Sequence, residues 1–166
     1  MDVVSRFLLA SFQGDFLLRP SKVSVHLLGI SKTPALLSLS RNDLGLLTEP
    51  AISAWLANEF QNPQFTQINE ISINLNHFRD KIVVFLDSEG TPYKHVFSEL
   101  HSQLSRTIFA IGAQEDIPDH LMQEISRVSH QTMLLSLGNT EYLASQTATI
   151  LRYLITRNFF GEMRRK

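Results

Sequence analysis

Three short segments, each following an apolar run, carry residue types able to hold a ligand through the backbone. Ile82–Leu86 (IVVFL) leads into Asp87-Ser88-Glu89-Gly90-Thr91-Pro92. Thr107–Ile111 (TIFAI) leads into Gly112-Ala113-Gln114-Glu115-Asp116-Ile117-Pro118, and Met133–Leu137 (MLLSL) into Gly138-Asn139-Thr140. A glycine lets the backbone adopt unusual dihedrals or approach a ligand with no Cβ in the way. None of the three reads GxGxxG or GxxxxGK, the patterns that cradle phosphates. Glycine is also the default turn residue, so any one of these loops alone is an ordinary strand-to-helix turn. All three together, in the C-terminal half, point to a nucleoside-like ligand held by backbone groups.

Other chemistries find little support. There are no cysteines, which removes disulfides, zinc thiolates and a thiol nucleophile, and fits a reducing compartment. The histidines, at positions 26, 77, 95, 101, 120 and 130, show no HxxxH or HExxH spacing, so no metal site is expected. His26 lies within an apolar strand and reads as a core histidine. No GxSxG elbow is present, which leaves nucleophilic hydrolysis unsupported. The chain closes on a basic cluster, Arg152, Arg157 and Arg164-Arg165-Lys166, with Phe159 and Phe160 between. Such a cluster is either a solvated tail or an RNA-facing patch, since phosphate contacts supply RNA affinity and aromatics stack on splayed bases. Arg19, Lys22, Lys32 and Arg41 offer a second patch. The net charge of -1 means that any nucleic-acid binding must be local.

The elements that must position these segments alternate between two periods. Val23–Leu28, Ala35–Ser40, Ile71–Leu75, Ile82–Leu86, Thr107–Ile111 and Met133–Leu137 read as strands. Asp2–Phe12, Pro50–Phe60, Tyr93–Leu104, Pro118–Val128 and Thr140–Asn158 read as helices, with Pro50 and Pro118 suited to first-turn positions. IVVFL and TIFAI are almost wholly apolar, as strands covered by helices on both faces are. The alternation predicts an α/β fold with a mainly parallel sheet. In such sheets ligands bind beyond the carboxyl ends of the strands, where the three glycine loops fall.

A length of 166 residues, 43% hydrophobic and 19% charged, predicts one compact soluble domain spanning 1–166. The opening MDVVSRFLLASFQGDF does not read as a signal peptide, and no apolar run reaches the roughly 20 residues that cross a bilayer. A cytoplasmic protein is expected. The final helical pattern is unusual. Leu143, Thr147, Ile150, Leu151 and Leu154 form one stripe, and Ala144, Ala148, Leu151 and Ile155 a second beside it. The combined face is broad for a helix packed on one side. It fits either a central core helix or one covered on its second side by a ligand or another subunit. Asn139 or Thr140 is expected to cap it.

The segment SLGNTEYLASQTATI resembles the C-terminal knot motif of SPOUT RNA methyltransferases, most closely that of the TrmY-type pseudouridine N1-methyltransferases. Those enzymes carry SLGP(x)4ASQC or SLSP(x)4A(x)2C before their last helix. HFRDKIVVFLDSEG is similar to the strand and glycine turn that open their cofactor site, TIFAIGAQEDIP to the next strand and loop, and VSVHLLG to an early core strand. MDVVSRFLLASF is similar to an MDL(x)2R segment that continues as a helix. The family has Pro where this chain has Asn139 and Cys where it has Thr147. A family Asp-His corresponds to Ala113-Gln114, and an Arg-Arg-Asp run to Arg19-Pro20-Ser21. Family members also carry about one more strand before the MDL segment.

The resemblance implies a trefoil-knotted α/β domain, with the knot over about 82–158, that binds S-adenosylmethionine and works as a homodimer through the C-terminal knot helix. It implies methylation of RNA, most closely N1 of pseudouridine in tRNA or rRNA. The alternatives are another RNA position, such as a ribose 2′-hydroxyl, or a catalytically degenerate binding homologue. The implied cofactor residues are Leu86, Ile111, Gly112, Leu135, Leu137, Gly138, Ala144 and Thr147. Glu115 or Asp116 would meet the ribose hydroxyls or the amino-acid end, or else serve only the next helix's dipole. Asp2 is the implied catalytic group for the ring N–H proton, with Arg6 one turn on to orient it or hold a phosphate. The same two residues would otherwise be an ordinary i,i+4 surface pair.

Overall fold

The computed structural model describes residues 2–13, 24–28, 36–40, 44–60, 75–100, 102–112 and 116–157. They divide into two compact units. Met1–Ile73 and Ser145–Lys166 bound one unit, and Asn74–Ala144 bound the other.

In the first unit, helix α1 (Asp2–Phe12) packs against α2 (Glu49–Phe60), at the positions the apolar spacing predicts. Leu8, Phe12, Leu44, Ile52 and Leu56 form a buried cluster, with Val4, Phe7, Leu9, Leu47 and Trp55 against it. Ser5 and Ser53 lie where the helices approach, and their hydroxyl oxygens are 2.7 Å apart in a hydrogen bond. The fully buried Ser5 therefore has a partner, which its desolvation requires. Strands β1 (Ser24–Leu28) and β2 (Leu36–Ser40) pair antiparallel, Ser24 opposite Ser40 and Leu28 opposite Leu36.

The second unit holds the parallel sheet. Strand β3 (Ile82–Pro92) is central, with β4 (Thr107–Ala110) on one side and β5 (Gln131–Ser136) on the other. Both pairings are parallel. Ile82, Val83, Val84 and Phe85 are buried on both faces, which accounts for an apolar run without alternation. β4 has a sheet partner only on its β3 side among the described residues, and it is half-buried throughout. Helix α3 (Tyr93–Leu100) packs on β3 and β5 through a face that buries Val96, Phe97 and Leu100. The rings of Phe97 and Phe109 meet edge to face at 6.2 Å. Helix α4 (Asp119–Val128) packs on the 3₁₀ turn Leu75–Phe78. The α/β class with a parallel sheet flanked by helices is therefore as the alternation predicts.

Several boundaries differ. Leu75 sits in the 3₁₀ turn rather than in a strand, and the rest of Ile71–Leu75 lies outside the described residues. The third helix ends at Leu100, and Leu104–Arg106 forms its own 3₁₀ turn. The last helix, α5, spans Ala144–Ile155, so Asn139 and Thr140 precede it by too much to cap it. Its buried stripe is Ala144, Thr147, Ala148, Leu151, Leu154 and Ile155, while Leu143 and Tyr153 are exposed. That spacing of three and four residues follows one helical face. No described helix is long and apolar enough to cross a membrane.

Candidate functional site

Two of the three glycine segments begin at the carboxyl ends of strands, Gly112 after β4 and Gly138 after β5, while Gly90 lies within β3. The register places Phe85 beside both Ala110 and Leu134; β4 ends at Ala110, whereas β3 and β5 run on to the pair Pro92 and Ser136. Leu86 pairs with Leu135, and Ile111-Gly112 directly follow β4. Leu137-Gly138 directly follow β5. Ile111, Gly112, Leu135, Leu137 and Gly138 thus stand within two residues of the ends of β4 and β5, and Leu86 lies within β3 opposite Leu135. Leu86, Ile111, Gly112 and Leu137 are half-buried. Leu135 is wholly buried, so its side chain offers no surface to a ligand. Ala144 opens α5, and Thr147 stands one turn on; both are buried and small.

The segment after IVVFL is not a free loop. Leu86 and Thr91 both oppose Leu135, so Asp87-Ser88-Glu89-Gly90 form an inserted bulge within an extended strand. Three features shape it. Asp87 Oδ1 accepts the Glu89 backbone N–H at 2.8 Å, closing an Asx-type turn. Gly90 lies flat on β5: a Cβ there would stand 2.8 Å from Leu134 C, Leu135 N and Leu135 C. Ser136 supplies the third. Its hydroxyl donates to the Ser88 carbonyl at 2.9 Å and accepts the Gly138 N–H at 3.1 Å.

Gly138 has a positive φ of 117°, which disfavours any side chain. A Cβ built there meets nothing within 4 Å, so this backbone borders open space that a ligand can enter. Asp87, Ser88, Glu89 and Gly138 are exposed. Of the paired acids, Asp116 is exposed, whereas Glu115 lies outside the described residues with Ala113 and Gln114.

Asp2 is the first residue of α1, and Arg6 follows one turn later. The Arg6 Nε donates to Glu49 Oε1 at 3.1 Å, an exposed ion pair that joins α1 to the start of α2. Arg152, expected within the basic cluster, has a structural task. Its Nη1 donates to the Ala10 carbonyl at 2.8 Å and also to the Gln13 carbonyl. The C-terminal carbonyls of α1 have no intrahelical donors, and a guanidinium satisfies them and complements the helix dipole. Arg157 is exposed. Phe159, Phe160, Arg164, Arg165 and Lys166 lie outside the described residues, as do Arg19, Lys22, Lys32 and Arg41.

Sequence reasoning missed the bulge, the Ser136 link and the Arg152 cap. The Asx turn alone had a local signal, an Asp two residues before Glu89 with a glycine next. Among the described residues, one hollow of about 270 Å³ is lined by Leu44, Leu46, Ile52, Trp55 and Asn58. A shallower one of about 420 Å³ lies on α4, and neither includes an expected site residue. No three described His, Asp or Glu side chains are grouped to hold a metal ion.

No protein-family model and no curated protein matches the sequence. Among solved structures, the chain is similar to Archaeoglobus fulgidus Nep1 bound to S-adenosylhomocysteine. The two are 13% identical with a TM-score of 0.68, over 95% of this chain and 70% of that one. At that identity the likeness concerns architecture: this chain has the α/β fold of Nep1.

Proposed function

We propose that the protein is an S-adenosylmethionine-dependent RNA methyltransferase of the SPOUT type, acting at N1 of a pseudouridine in tRNA or rRNA. The observation that carries this reading is the placement of Ile111-Gly112 and Leu137-Gly138 just beyond the parallel strands β4 and β5, in a fold shared with a protein that holds S-adenosylhomocysteine. The cofactor supplies a methyl group activated on a sulfonium. Backbone groups of Ile111-Gly112 and Leu137-Gly138 read the adenine. Leu86, Ala144 and Thr147 enclose it, and Leu135 supports them. Asp2 takes the proton of the ring N–H as the nitrogen attacks, and Arg6 orients Asp2 or a phosphate. Residues 1–166 act as one domain, with the C-terminal segment threaded as a knot and a homodimer formed through α5.

Calorimetry with S-adenosylhomocysteine tests the cofactor half. Binding by the wild type, lost in folded Gly138→Trp or Ala144→Phe variants, supports the placement; unaltered affinity in those variants refutes it. Tritiated-methyl transfer to bulk RNA, followed by mass spectrometry of the nucleoside, tests the reaction and its position. An Asp2→Ala variant should bind S-adenosylhomocysteine normally and transfer no methyl; full transfer would remove Asp2 from the mechanism. A second reading, a knotted binding homologue without catalysis, is favoured by the commitment of Arg6 to Glu49 and by Asn139 and Thr147 in the family's Pro and Cys positions. Cofactor binding without transfer to any RNA would select it. A 2′-O-methylated product would instead select the ribose-modifying reading.

A further inference from the structure

We infer that Ser136 is a positioning residue that locks the 87–90 bulge to the turn at Gly138, so that the two loops act as one wall of the ligand site. Its hydroxyl bonds to both loops. It donates to Ser88 O at 2.9 Å and accepts from Gly138 N at 3.1 Å. The Gly138 carbonyl, at 3.5 Å, is a poorer acceptor for the single proton, so the donor bond goes to Ser88. Ser136 is only 7% exposed, and a hydroxyl at such a position needs partners. Both of its hydrogen-bonding roles are used here, the donating one on a carbonyl 48 residues away in the chain.

The backbone geometry says what the link controls. Ser88 stands in the middle of the inserted residues, where pairing with β5 is interrupted between Leu86 and Thr91. With the sheet ladder absent there, the bulge depends on local bonds for its shape. The Asp87 turn fixes its first half internally, and Gly90 seats its end on Leu134 and Leu135. The Ser136 bond ties its middle to the neighbouring turn. On the other side, the amide that Ser136 accepts belongs to the glycine with φ 117°, so the same hydroxyl stabilises that conformation. Removing it frees the bulge and the Gly138 turn together, and a ligand held by them must then order both.

The affinity consequence rests on the cofactor reading above, whereas the coupling itself does not. The test therefore uses both states of the full-length protein. In ligand-free Ser136→Ala, ¹⁵N order parameters at Ser88 and Glu89 should fall from about 0.85 towards 0.6, although the substitution lies on the other loop. S-adenosylhomocysteine affinity should weaken about tenfold, roughly one lost net hydrogen bond. Ser136→Thr, which keeps the hydroxyl, should restore both; Ser136→Cys stands in if the alanine variant does not fold. Unchanged order at Ser88 and Glu89 in a folded Ser136→Ala protein would overturn the coupling. Loss of order there, in a protein whose wild type binds no S-adenosylhomocysteine, would support the coupling and reject the cofactor reading instead.

Discussion

Gly90 and Gly138 are both required, for different reasons, and substitution separates them. At Gly90 the obstacle is contact: a methyl group would meet three backbone atoms of β5 at 2.8 Å, and strand backbone cannot swing aside as a side-chain tip can. Gly90→Ala should lower stability by about 1–3 kcal/mol, towards the upper end, and shift the bulge. At Gly138 there is no neighbour to strike, and the obstacle is the positive φ alone. Gly138→Ala should cost about 1–2 kcal/mol. Urea midpoints and slopes of the two variants decide this; equal costs would remove the distinction. His77 provides a pH test at the same scale. Burial, and secondarily the Lys81 charge, hold its imidazole below the ordinary value. The folded chain then binds this proton less readily than the unfolded chain, so stability rises with pH through that window. Stability should be complete above about pH 6.5 and decline as pH falls below it, until the folded imidazole is also protonated. The decline should be shallower in His77→Gln when urea midpoints are compared across that range.

Helices α1 and α5 are connected at the scale of elements. Arg152 comes from the middle of α5, yet its guanidinium serves the carbonyls at the end of α1. Bonds of this kind, from a charged donor to orphaned helix carbonyls, contribute about 1.5–3 kcal/mol. Arg152→Ala should therefore lower stability by that order, measured by urea unfolding, and leave the salt dependence of RNA binding unchanged. A variant of wild-type stability with a reduced salt slope would place Arg152 on RNA instead. The ion pair between Arg6 and Glu49 differs in weight. It is exposed, at 55% and 35% for the two side chains, and screening leaves it at most about 1 kcal/mol. Packing of Leu8 and Phe12 against Ile52 and Leu56 is the main bond between α1 and α2.

Ligand linkage is the readout at the scale of the whole molecule. A ligand that binds only the folded chain stabilises it by about 2.7 kcal/mol at a hundredfold excess over its Kd. For a chain of this size that corresponds to a Tm rise of about 5–10 °C. S-adenosylhomocysteine should produce such a rise in thermal scans, and adenosine a smaller one. No rise at saturating ligand would count against the cofactor reading for the entire chain.

The sequence by itself determined the order and type of most helices and strands, because side-chain periodicity is a local property. The strand expected at Ile71–Leu75 is the exception, with Leu75 in a 3₁₀ turn. The run IVVFL announced a strand covered on both faces, and β3 is central in the sheet. The Asp2–Phe12 pattern matched α1 at both ends. The apolar runs of the three glycine segments are strands of one parallel sheet, β3, β4 and β5. Relations between distant segments were left to the tertiary structure. Asp87 to Gly90 read as a loop because nothing local shows that Leu86 and Thr91 share one partner across the sheet. Ser136 read as one residue of a turn, since its partner Ser88 is 48 positions away. Arg152 read as part of a basic tail because its acceptors lie 142 and 139 positions upstream. Register, hydrogen bonds over such separations and the seating of Gly90 arise only when the strands are brought side by side, so only the fold decides them.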